Sequence, residues 1–105
     1  MAANWIALQP QLPLRLHFTA WAIERIVIQD RTFNRPREVE ALMMLADRVN
    51  GVDDGRPLPI TSTRLRGMIE PFLRADTYKS YEFVIAKIGD GLRAQFTLQA
   101  IPYIP

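Results

Sequence analysis

The chain has 105 residues, 49% of them hydrophobic and 23% charged, which is ordinary globular usage and predicts one domain with a real core. Zero cysteines exclude disulfides, thiolate metal sites and a cysteine nucleophile, and a single histidine excludes paired-histidine metal motifs. The net charge is only +2, although eleven arginines and two lysines make up the 13 cations. Each half of the chain balances to about one positive charge, so there is no basic tail and no acidic block. No apolar run reaches the ~18 residues of a membrane span and the first residues lack a basic, then apolar, leader. A cytoplasmic protein with no membrane partner is therefore expected.

Residues 1–13 read as an extended arm, with Trp5, Ile6 and Leu8 apolar and Pro10 and Pro13 favouring a polyproline-like path. The end Ile101-Pro102-Tyr103-Ile104-Pro105 has the same character. Such ends dock either on their own domain or on a neighbouring subunit.

From Leu14 to Trp21 the chain alternates. Leu14, Leu16, Phe18 and Ala20 fall on one face and Arg15, His17, Thr19 and Trp21 on the other, which predicts a half-buried strand. Glu24 then arrives on the buried parity, so a bulge is expected near Ala22–Glu24.

Residues 37–50 support two readings. Asn34, Pro36, Glu38 and Glu40 suit a helix start and Gly51 a helix stop. The same two-faced apolar run also fits a central strand. Residues 51–59 are loop by composition. Thr61-Ser62-Thr63 offer capping hydroxyls for a helix to about Arg74 with the stripe Leu65, Met68, Ile69, Phe72 and Leu73. Pro71 predicts a kink over Gly67, or a stop near Glu70.

Asp90-Gly91 between two β-rich runs predicts a C-terminal hairpin with a two-residue turn. That turn pairs Lys87 with Ala94 and Ile85 with Phe96, and places Phe83, Ile85, Phe96 and Leu98 in the core. A three-residue loop would mix polar and apolar side chains on both faces.

The expected architecture is α+β: a small antiparallel sheet, or a partly closed OB-like barrel, with one amphipathic helix over about 62–74 ahead of the hairpin.

Catalytic constellations are thin. Asp53 and Asp54 lack a calcium-loop ladder and read as a solvated turn. His17 has no partner legible in the sequence, and the five glycines form no phosphate loop. No enzyme, metal or cofactor is expected. The sharper expectation is a binding protein for single-stranded nucleic acid, using Arg15, His17, Trp21, Arg25 and Arg93 as a basic and aromatic strand face. The alternative is a homo-oligomeric structural or adaptor subunit of a larger assembly that uses its apolar N- and C-terminal arms.

Overall fold

A computed structural model of the chain describes residues 5–30, 34–89 and 94–104. Strand β1 (Leu14–Asp30) is followed by β2 (Arg35–Val49), β3 (Val52–Asp53) and β4 (Pro57–Ile60). Helix α1 (Thr63–Arg74) and a 3-10 turn at Tyr78–Ser80 lead to β5 (Tyr81–Ile88) and β6 (Gln95–Pro102). The strands form one antiparallel sheet in the order β3-β2-β1-β5-β6, with β4 also on the outer edge of β2. Of the two expected forms, the open sheet is the one built; its end strands do not pair into a barrel.

Residues 35–49 are a strand, and the reason is tertiary. Ala41 to Met44 are buried in succession because Leu42 and Met44 face the main core while Ala41 and Met43 pack with Ile26 and Trp5 on the other face. Burial on both faces outweighs the helix-start signals, whose worth is a fraction of a kcal/mol each. Gly51, expected to stop a helix, instead turns a hairpin. Asn50 (φ 53°) and Gly51 (φ 78°) form a two-residue connection between the Val49↔Val52 pair, which is the positive-φ pair that a type I′ turn requires.

β1 and β2 make a long hairpin, from Leu16↔Val49 to Asp30↔Arg35. Only Leu14 to His17 of β1 pair with β5, and only Leu42 to Leu45 of β2 pair with β4. The far part of this hairpin is therefore a two-stranded ribbon that extends beyond the rest of the sheet, and the molecule measures 44 × 26 × 26 Å.

The register slips between His17 and Phe18 and again between Phe18 and Ala20. The bulge thus lies at Thr19 on β1, with Asp47 as the extra residue on β2, and not near Ala22–Glu24 as expected. Phe18 pairs with Ala46, after which Trp21 pairs with Met44 and Ile23 with Leu42. One inserted residue resets side-chain parity. Everything from Trp21 onward is turned to the other face relative to the simple alternation.

The main core gathers Leu16, Phe18, Leu42, Met44, Leu58, Ile60, Phe83 and Ile85 under Leu65 and Ile69 of α1. Phe72 packs edge-on against Phe83 with ring centroids 5.0 Å apart. Met68, placed on the stripe by spacing, is instead exposed. The helix begins where Ser62 Oγ accepts the Leu65 amide at 3.3 Å and continues through Pro71 to Arg74. A satellite cluster of Ile26, Ala41 and Met43, flanked by Trp5, Ile28 and Val39, sits on the opposite face of the ribbon.

In the C-terminal hairpin the expected faces hold but the partners move by two positions. Ile85 faces Leu98, Lys87 faces Phe96, and the last described pair is Ile88↔Gln95. The described register is therefore not the one that a two-residue turn at Asp90-Gly91 sets; that turn itself lies outside the described residues. The described part of the arm docks on its own sheet: the Ile6 amide donates to the Pro57 carbonyl at 2.9 Å and the Gln11 amide to the Lys87 carbonyl at 2.7 Å.

Candidate functional site

The residues expected to share one solvent-facing strand surface are divided by the Thr19 bulge. Arg15 and His17 lie on the face away from the main core, paired in register with Val84 and Glu82. Trp21 and Arg25 lie on the helix side, opposite Met44 and Glu40. Arg93 lies outside the described residues.

His17 is inside the structure, 5% exposed. Its Nδ1 is 2.6 Å from Asp47 Oδ1 and its Nε2 2.8 Å from the Lys79 carbonyl oxygen. Both ring nitrogens thus face oxygen atoms of the fold. Tyr103 stacks on it, with centroids 3.7 Å apart and planes 17° from parallel. The imidazole is a tie between β1, the bulged residue of β2, the 3-10 turn and the C-terminal segment. Neither nitrogen is left to act on a substrate.

Arg15 Nε lies 3.1 Å from Glu82 Oε2, and Arg25 Nη1 lies 3.2 Å from Glu38 Oε1. Asp54 receives Arg56 in a two-pronged pair (2.8 and 3.0 Å) together with the Gly55 and Arg56 amides at 2.8 and 2.9 Å. The Arg56 guanidinium, aided by those amides, holds this carboxyl well below the usual carboxylate range. Asp54 thus lies in a turn, as its composition suggested, whereas Asp53, expected in the same loop, ends strand β3 opposite Arg48. Among the described residues no group of three or more His, Asp or Glu could hold a metal ion, and no helix is long and apolar enough to cross a membrane.

A groove lies between the ribbon and α1. Trp21, Ile23 and Leu42 form its floor and Arg66, Glu70, Leu73 and Arg74 its helix side, around a volume of about 260 Å³. Trp21 is 44% exposed and Ile23 41%. The cations here are locally neutralised: Arg66 reaches Glu40 at 2.9 Å and Arg74 pairs with Glu70 one helical turn away. Spacing alone did not reveal Arg66, Leu73 and Arg74 as neighbours of Trp21. Their approach depends on the bulge and on the helix crossing, neither of which is a local signal.

Beside the groove, the outer edge of β1 beyond Thr19 has no strand neighbour among the described residues. It carries Val27, 63% exposed, in line with Trp21 and Ile23. A second open hollow of about 260 Å³ under the arm is lined by Trp5, Ile6 and Leu8 of the chain itself and by Leu58, Ile60 and Leu65. No family model, curated protein or solved structure matches the chain.

Proposed function

We propose that this is a non-catalytic interaction protein, a subunit or adaptor that docks another protein along its β1–β2 ribbon. The observation that carries this reading is the β1 edge beyond Thr19, which has no strand neighbour among the described residues and bears exposed Trp21, Ile23 and Val27. An unpaired edge of N–H and C=O groups is a template for an added strand, and the flanking apolar side chains supply burial. Charge points the same way. On the ribbon Arg25, Arg35 and Arg37 are matched by Glu24, Glu38 and Glu40, so the local field is close to neutral. The described part of the arm bonds to its own sheet and Tyr103 stacks on His17, which favours the ribbon over the chain ends as the surface of this reading.

Single-stranded nucleic acid is the second reading, favoured by one observation: the half-exposed indole of Trp21 lies in a groove with Arg66 and Arg74. Base stacking on such a ring is worth about 1–3 kcal/mol. Phosphate neutralisation supplies most non-specific affinity, and here each groove cation already faces a carboxylate. Titrating tryptophan fluorescence with oligothymidylate at low and high salt separates the two. The interaction reading expects no quenching at low salt. Quenching that fades as salt rises would replace it with the nucleic-acid reading.

A further inference from the structure

We propose that the hollow under the arm binds a small amphipathic carboxylate, its apolar body against Trp5, Leu8 and Phe96 and its head at Lys87. The hollow and the groove at Trp21 share no lining residue. The site is therefore independent of the ribbon being an interaction surface.

Alternation along β5 sets the chemistry. Phe83 and Ile85 are buried in the main core, and Lys87, two positions on, projects to the same side of the sheet. Its neighbour across the hairpin is Phe96, and both line the hollow. A row of buried apolar side chains thus ends in a half-buried cation. Among the described residues that line the hollow, Lys87 is the one charged group, and the rest are apolar except Thr61 and Ser62. Ser62 Oγ is committed to the Leu65 amide. An ammonium beside apolar walls favours an anion that brings its own apolar body, because a charge taken from water needs a partner. Lys87 already interacts within the fold, and with three donors it can take a ligand head in addition. No guanidinium fork or second cation joins it among the described lining residues. The donor set therefore suits a singly charged carboxylate better than a phosphate.

The arm gives this site its cover. At one end the Ile6 amide donates to the Pro57 carbonyl of β4, and at the other the Gln11 amide donates to the Lys87 carbonyl of β5, where Pro10 also bridges. Residues 6–11 are thus a strap anchored on both sides, and Ile6, Ala7 and Leu8 line the hollow from above. The strap leaves about 260 Å³ unfilled, whereas packed interiors leave few voids larger than a water. That volume lies just under the range of about 300–1,000 Å³ usual for small-ligand pockets, which limits the ligand to a short or medium-length chain.

The test uses the full chain, with octanoate as the probe and octanol and octyltrimethylammonium as matched controls. In Trp21→Phe the remaining indole is Trp5, in the wall of the hollow, and its fluorescence should change saturably with octanoate. In Trp5→Phe, which keeps Trp21 in its separate groove, octanoate should leave the fluorescence unchanged. Octanol should bind more weakly than octanoate, and octyltrimethylammonium should not bind. In the Trp21→Phe background, Lys87→Gln should weaken octanoate about 5- to 30-fold and leave octanol unaffected. Leu8→Glu, which sets a carboxylate in the wall beside the ligand head, should abolish octanoate binding. This second variant keeps the test intact if Lys87→Gln unfolds. No saturable change at Trp5, equal binding of octanol and octanoate, or a response confined to Trp21 overturns the site. None of these results bears on the ribbon, which the oligothymidylate titration tests separately.

Discussion

Trp21 and His17 lie four positions apart on one strand yet face opposite sides of the sheet, because Thr19 between them is the bulged residue. The indole reaches the groove against α1, whereas the imidazole is sealed between Asp47, the Lys79 carbonyl and Tyr103. A ring-bearing, cationic strand face therefore becomes two different things: a tie inside the fold and an open apolar hollow.

That tie sets the first prediction. Asp47→Ala leaves Nδ1 of the buried His17 ring without its partner, and should cost about 1–3 kcal/mol in urea unfolding. His17→Phe removes that nitrogen and keeps the stack on Tyr103, so Asp47→Ala in a His17→Phe background should cost clearly less. Equal costs in the two backgrounds would mean that the short contact contributes nothing to stability.

Gly51 gives the second. A side chain there is strained by the positive φ of 78°, and its Cβ would fall 2.8 Å from Arg15 Nη2. The guanidinium end is flexible and can shift, so the backbone conformation dominates. Gly51→Ala should lower stability by about 1 kcal/mol, and Asn50→Gly should change it little. A denaturation midpoint for Gly51→Ala equal to that of the parent would contradict the I′ turn.

The third concerns acid. Asp54 is held below its ordinary value of about 3.9 by Arg56 and two amides, so folding favours its ionised form. The unfolded chain takes up that proton first as pH falls. The stabilisation is thus complete above about pH 5 and is lost progressively below the unfolded value as the folded one is approached. Asp54→Asn should flatten this part of the acid limb when urea midpoints are plotted against pH. An unchanged slope would show that the pair does not act on folding.

Ser62 supplies the fourth. Its hydroxyl caps the Leu65 amide, and Ser62→Ala should cost about 1 kcal/mol in thermal or urea unfolding. Ser62→Asp should avoid most of that loss, because its carboxylate also accepts from the first turn and suits the helix dipole.

Sequence patterns disclosed whatever short-range chemistry controls. Leu14, Leu16 and Phe18 alternate, Ser62 starts a helix with Leu65 and Ile69 inward, and Phe83 and Ile85 share a face with Phe96 and Leu98. Long-range pairing decided the rest. Thr19 looks like any strand residue, and its bulge exists because Asp47 on the other strand slips at the same place. The run from Ala41 to Met44 carries no local mark that it will be covered on both sides. Asn50-Gly51 is a hairpin-turn dipeptide, but the helix-start signals before it led to its glycine being read as a helix stop. The groove around Trp21 depended on two of these non-local facts at once, so only its tryptophan was visible beforehand.

The pairing order also imposes a sequence of events on refolding. The ribbon closes over a five-position separation at Asp30↔Arg35 and can zip outward from there, whereas Leu14 must wait for Ile85, 71 positions away. Hairpins form in about 1–10 μs, while distant pairings carry a loop-closure cost before any reward. The barrier to folding should thus lie in bringing β5 to the start of β1. Truncations at Phe83 should mainly slow refolding if that docking is already made at the barrier, and truncations at Val39 should mainly speed unfolding if the ribbon tip is still fraying there.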